Sequence, residues 1–166
     1  MSVDKKLAKA RLNSALEYIK YIHNYEYEQL GTEEDVKIKI VIPFLKSLQV
    51  DMLHCDFERR TQQGKRTDIV IPYGNEEVIV EIKRRQITLK YDHVEQLRSY
   101  LYSEQSKIGI LTNGRSWQFY TYQNGVMKLI ESLDLSYYTG EDEQEFLLNF
   151  NPSLFDVQQI LNYENV

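Results

Sequence analysis

Residues 66–85 read RTDIVIPYGNEEVIVEIKRR. Two apolar runs flank Gly74-Asn75, and a two-residue turn with glycine first favours a type II′ hairpin. That turn fixes a pairing in which Tyr73 faces Glu76, Ile71 faces Val78, Val70 faces Ile79 and Ile69 faces Val80. One step further along, Asp68 falls opposite Glu81 with Cβ atoms about 4.5–5.5 Å apart, and Lys83 follows on the same face. The apolar density of VIVEI predicts a strand covered on both sides. Two carboxylates placed there are penalised twice, by mutual repulsion and by lost hydration. One relief is a proton held by the pair. The other is a divalent cation: Asp68, Glu81 and a backbone carbonyl such as that of Ile82 match the hard oxygen ligands that Mg²⁺ prefers. A one-residue slip or a bulge would instead separate the acids and leave Lys83 as an ordinary ion-pair partner. Carboxylates, a cation and an ammonium beside basic side chains suit phosphodiester hydrolysis better than glycosidase or protease chemistry.

Upstream of the hairpin, Leu7, Leu12, Leu16, Ile19 and Ile22 recur at helical intervals and predict a helix over 4–28, stopped by Gly31. Thr32 opens a second helix, with Asp35 completing a capping-box-like T-E-E-D. That helix carries Val36, Ile40, Phe44, Leu45 and Leu48, and Pro43 limits its regularity. Glu33 shares the face of Val36, Ile40 and Phe44 and is expected to point inward, whereas Glu34 lies about 100° around the axis. A strand is expected over Leu53 to Arg60. Downstream, Asp92 with Glu95 predicts the capped start of a helix running to about Ser103. The pairs Asn113-Gly114 and Asn124-Gly125 then divide a three-strand antiparallel meander. Two short helices are expected near 142–149 and 153–162.

The 166 residues contain 42% hydrophobic and 27% charged residues, the balance of a folded chain with one core. No apolar run is long enough to span a bilayer, and the charged N-terminus lacks the apolar segment of a secretory signal. Cys55 is the only cysteine, so no intrachain disulfide forms, and a cytoplasmic location is expected. The net charge of −5 argues against indiscriminate nucleic-acid binding. Its distribution is uneven, however. Arg59, Arg60, Lys65, Arg66, Lys83, Arg84, Arg85 and Lys90 crowd around the hairpin, whereas Glu131 to Val166 contains no lysine or arginine. A solvated basic face is the plain reading of that cluster.

Taken in order, TEEDVKIKIVIPFL, KRTDIVI, VIVEIK, EQLRSYL and GILTNGRSWQFY resemble the PD-(D/E)XK nuclease superfamily, and more closely the N-terminal nuclease domain of the R (restriction) subunit of type I restriction enzymes. The resemblance covers roughly residues 32–122. The N-terminal helix and the acidic, helical 131–166 tail match only in character. The resemblance implies a single α/β domain over 1–166, a restriction-endonuclease-like mixed β-sheet flanked by helices. It also implies a Mg²⁺-dependent endodeoxyribonuclease in which Mn²⁺ can substitute. Asp68 and Glu81 would bind the metal and Lys83 would assist the nucleophile or the transition state. Glu33 takes the place of the family's helical acid, with Glu34 as the alternative. Gln96 and Tyr100 match a Q-x-x-x-Y element of a subset of these nucleases and share one helix face. Their plain reading is ordinary placement beside Leu97 and Leu101. Arg59, Arg60, Lys65, Arg84 and Arg85 are candidates to hold DNA phosphates without reading sequence.

Thr67 departs from the nominal proline before the first acid. No G-x-x-x-x-G-K-[ST] occurs, so no P-loop ATP hydrolysis is expected, and the sequence fits either one domain of a longer enzyme or a stand-alone relative. A second functional class is a catalytically silent DNA- or protein-binding module that docks on methylation, specificity or motor subunits of a restriction or anti-restriction system. A third is a DNA-mimicking decoy built on the acidic tail. His23, His54 and His93 are scattered and show no zinc spacing. His93 lies near the Gln96 helix start, where a surface role is the plainer reading. Trp117, Phe119, Tyr120 and Tyr122 suit strand packing better than base stacking.

Overall fold

The computed structural model describes residues 4–164. Its centre is the hairpin of β2 (Ile69–Tyr73) and β3 (Glu76–Ile82), in the register the turn dictates: Tyr73 pairs with Glu76, Ile71 with Val78, Val70 with Ile79 and Ile69 with Val80. Gly74 has φ +64° while Asn75 keeps a negative φ, the pattern of a turn with glycine first. Successive side chains of β3 go to opposite faces. Val78, Val80 and Ile82 join one core layer, and Ile79 joins the other.

Six strands form one mixed sheet in chain order: β1 (Asp56–Phe57), β2, β3, β4 (Ile108–Thr112), β5 (Ser116–Gln123) and β6 (Val126–Asp134). Only β3 and β4 are parallel, and a helix of 14 residues connects them. The last three strands form the meander, with Asn124 and Gly125 both at positive φ in the β5–β6 turn. The architecture is the restriction-endonuclease-like α/β fold with helices on both faces of a mixed sheet.

One face is covered by α1 (Lys5–Tyr25), whose Leu12 and Ile19 are wholly buried and whose start is capped by the Asp4 carboxylate. The second helix begins as α2 (Glu33–Val36) with the Thr32–Asp35 capping box in place. It widens to a π-turn over Lys37–Val41 and resumes as α3 (Ile42–Ser47). Ile42 N–H bonds to Lys37 five residues back, immediately before Pro43. Proline has no N–H and crowds the preceding turn, and the widened turn accommodates both effects. On the opposite face, α4 (Tyr91–Glu104) packs Leu97, Tyr100 and Leu101 against Val70, Ile79 and Leu111. The two C-terminal helices are α5 (Glu141–Leu148) and α6 (Val157–Leu161).

Five expectations need correction. The strand over Leu53 to Arg60 shrinks to Asp56–Phe57: Met52–His54 is a 3₁₀ turn capped by Asp51, and Glu58 at φ +56° bends the chain away. The first helix ends at Tyr25, and a 3₁₀ turn over Tyr27–Leu30 precedes Gly31. The cap of α4 is not Asp92 with Glu95: Lys90 is the N-cap residue, and its backbone N–H donates to His93 Nδ1 at 3.0 Å. Asp68 lies just before β2 rather than inside it. Finally, Glu33 is exposed, because its turn projects past the edge of the core that buries Val36 and Ile40.

The acidic tail is part of the core. Phe146 meets Phe119 edge-on at 5.0 Å, and Tyr73 Oη donates to the Phe150 carbonyl at 2.6 Å. Lys5 and Lys9 pair with Glu145 and Glu141. No described helix is long and apolar enough to cross a membrane.

Candidate active site

The hairpin register carries Asp68 and Glu81 to the α4 side of the sheet, at the end where β3 leaves it. Asp68 is anchored by main chain: its Oδ2 accepts the Ile82 N–H at 2.6 Å, where an antiparallel partner would otherwise continue the ladder. The N–H and C=O of one strand residue leave on the same side, so the Ile82 carbonyl also faces the Asp68 edge. Glu81 is only 4% exposed, and its Oε2 is buried without a hydrogen-bond partner. Burial, then the Asp68 charge, push the Glu81 carboxyl up to about 8, with Lys83 pulling the other way. Asp68 is raised as well, first by burial and further by the Glu33 charge, against the lowering effect of the Ile82 N–H.

Lys83 lies two residues beyond Glu81 and is mostly buried. Its ammonium donates to Glu81 Oε1 at 3.3 Å and to Gln96 Oε1 at 2.9 Å. Gln96 Nε2 in turn donates to Tyr100 Oη at 2.8 Å. An ammonium has no acceptor, so the Gln96 oxygen must face Lys83 and its amide must face the phenol. The i, i+4 spacing on α4 thus forms a relay that holds the lysine.

In front of Lys83 lies an open hollow of about 640 Å³, lined also by Thr32, Glu33, Glu34, Arg84 and His93. Glu33 is close enough to act on the Asp68 charge, whereas Glu34 pairs with Lys37 at 3.7 Å. A second hollow of about 500 Å³, at the C-terminal end of α4, contains no carboxylate. A third, also of about 500 Å³, has Asp142, Glu145 and Glu164 but no Lys or Arg beyond Lys5. The hollow at Lys83 is the candidate site because that lysine joins it to the Asp68–Glu81 pair behind it.

Of the other candidate cations, Arg84 lines the hollow and Arg59, Arg60, Lys65 and Arg85 do not. Arg59 is engaged by Asp56 and Glu77. Arg60 and Arg66 face each other across an isolated bridge, and Arg60 and Lys65 are exposed away from the lining. Arg84 is exposed at the hollow, and Arg85 Nε donates to His23 Nδ1 at 3.0 Å.

Two histidines and an asparagine shape the site without a sequence signal of their own. His23 is buried on α1 and holds Gly114 and Arg85. His93 closes the α4 cap beside Lys83. Asn113 Nδ2 donates to the Ile87 carbonyl at 2.8 Å and steadies the loop after β3. Asn113 is legible in sequence only as a turn residue.

Asp68 and Glu81 fit a hard divalent cation, since two opposed carboxylates share one face and one buried oxygen has no protein partner. Among the described residues no group of three or more His, Cys, Asp or Glu converges to hold a metal. The protein's share would thus be two carboxylates and the Ile82 carbonyl, the sparse set with which Mg²⁺ keeps several waters.

The chain is similar to known proteins in two comparisons. A family model described as type I restriction enzyme R protein N terminus matches residues 14–133. Among solved structures, a fragment described as that of an HsdR subunit of a type I restriction enzyme from Vibrio vulnificus YJ016 matches at 20% identity with a TM-score of 0.47. The match covers 72% of this chain, which spans about a quarter (26%) of that fragment. No curated protein matches the chain.

Proposed function

The chain belongs to the family of type I restriction enzyme R protein N termini, and on that premise we propose that it is a Mg²⁺-dependent DNA endonuclease module. The observation that carries the reading is the placement of Asp68, Glu81 and Lys83 on one face, with the Glu81 Oε2 buried and unpartnered. The convergence of Gln96 on the same lysine adds an independent element.

When bound, Mg²⁺ supplies Lewis-acid stabilisation of the charge that develops on phosphate oxygens. Asp68 and Glu81 would hold it, with the Ile82 carbonyl as a third oxygen. Lys83, fixed by Gln96 and Glu81, directs its remaining N–H toward the attacking water or an equatorial phosphate oxygen. Glu33 stands across the hollow and aids the alignment of water. Arg84 gives the DNA backbone a cation at the rim. Mn²⁺, which accepts the same oxygen donors, can substitute. Partners in this reading are DNA and the methylation, specificity and motor subunits of a restriction system.

The test is supercoiled plasmid with Mg²⁺, comparing the wild type with Glu81→Ala and Lys83→Ala. Nicking by the wild type that both variants lose supports the assignment. Equal nicking by all three proteins removes it. A module that binds without cutting is the second reading, and it is favoured by the engagement of Arg59 in ion pairs together with the net charge of −5. Metal and DNA binding without cleavage, alone and with the other subunits, would select it.

A further inference from the structure

His93 is the third residue of α4, and the Lys90 backbone N–H donates to its Nδ1 at 3.0 Å. A backbone amide can only donate, so Nδ1 holds a lone pair and the ring proton of the neutral imidazole sits on Nε2. The ring lines the hollow with Glu33, Lys83 and Arg84. No hydrogen bond among the described residues uses Nε2. One nitrogen thus closes the helix start while the other keeps a donor of fixed identity at the wall of the candidate site.

We propose that His93 is a phosphate-binding residue, donating its Nε2–H to a non-bridging oxygen of the DNA phosphate held between Lys83 and Arg84. This rests on the nuclease reading of the same hollow and adds a third donor to it. Three donors of different kinds converge there: an ammonium, a guanidinium and a neutral imidazole. Burial and the neighbouring Lys83 charge lower the tendency of His93 to take a second proton, which keeps Nδ1 free to accept the cap bond. The cap is also a positioning device. It ties the ring to the first turn of the helix that carries Gln96, so the lysine relay and the imidazole move as one unit.

The two roles can be separated by substitution. Glutamine at the third helical position can accept the cap N–H through Oε1 and still present an N–H. Leucine can do neither. Duplex binding by fluorescence anisotropy without divalent metal, plasmid nicking in Mg²⁺ and thermal melting are measured for the wild type, His93→Gln and His93→Leu. His93→Leu is expected to weaken binding and slow nicking by about tenfold each, and His93→Gln to stay within about threefold of the wild type. A readout that a purely structural cap does not move is the His93 Nε2 resonance in long-range ¹H–¹⁵N spectra, which is expected to shift on titration with duplex DNA while the tautomer is kept. Binding and nicking by His93→Leu at wild-type levels would overturn the proposal. So would an unmoved Nε2 resonance at saturating DNA, or no duplex binding by the wild type. Equal nicking by the wild type and Glu81→Ala would defeat the nuclease reading alone, and the binding and resonance measurements would still decide on His93.

Discussion

Lys83 and Gln96, thirteen residues apart in sequence, meet at 2.9 Å with the ammonium donating to the amide oxygen. The contact joins the end of β3 to the first turns of α4, so the placement of Lys83 depends on a helix that follows it. Gln96 is itself oriented by Tyr100. Gln96→Leu leaves the lysine with Glu81 alone and is expected to cut nicking by about 10–100-fold with little change in melting temperature. Tyr100→Phe removes one acceptor further out and is expected to cost less. Nicking rates measured beside melting curves check both.

Glu81→Gln is expected to stabilise the metal-free protein while abolishing nicking. The folded-state value of about 8 stands above the ordinary 4.5, so the folded chain holds a proton that the unfolded chain releases. That contribution is fully present below pH 4.5 and is lost as the pH rises through 8. Glutamine has no proton to lose, so the variant should gain on the wild type over this range, by on the order of 2 kcal/mol at pH 8.5. Urea denaturation in EDTA at pH 5 and pH 8.5 measures the difference.

His23 should make the protein acid-sensitive. Burial depresses its protonation, and its ring is engaged on both nitrogens, by Gly114 O and Arg85 Nε. Near pH 7.5 both folded and unfolded chains keep it neutral. Below its unfolded value of about 6.5 the unfolded chain takes up a proton that the folded chain resists, so stability falls with acidification. His23→Gln should show a smaller loss between pH 7.5 and pH 5 in denaturant titrations than the wild type does.

Gly114→Ala is expected to destabilise by about 2 kcal/mol or more, because both conformation and space oppose a side chain. Gly114 has φ +87°, and an added Cβ would meet Val36 Cγ1 at 2.9 Å. Gly74→Ala shares the positive φ but meets nothing, so it should cost less. Melting temperatures of the two variants test the ordering.

The hairpin was legible in sequence because side chains alternate with a period of two and the Gly74-Asn75 turn sets the count. The same count placed Asp68, Glu81 and Lys83 together, and i, i+4 spacing joined Gln96 to Tyr100. The meander was legible through its Asn-Gly turns. Other features depend on partners distant in sequence. Asp51 and Glu58 broke the strand expected over Leu53 to Arg60 through local capping and a positive φ that apolar patterning does not register. The inward placement expected for Glu33 failed because helix periodicity gives a direction but not where the core ends. His93 as a cap is invisible to the usual search for Ser, Thr, Asp or Asn before a helix. The two C-terminal helices were expected, but the packing of the acidic tail into the core was not legible, because its Phe146 and Phe150 contacts lie across the sheet.

The central claim is that Asp68 and Glu81 together hold one divalent cation. Anomalous diffraction from crystals soaked in Mn²⁺ tests it most directly. The account predicts an anomalous peak between the Asp68 and Glu81 carboxylates, within coordination distance of both and of the Ile82 carbonyl, and its disappearance in Glu81→Ala. An Mn²⁺-soaked structure with no peak there, or with a peak that leaves one of the two carboxylates out of the coordination sphere, would contradict it.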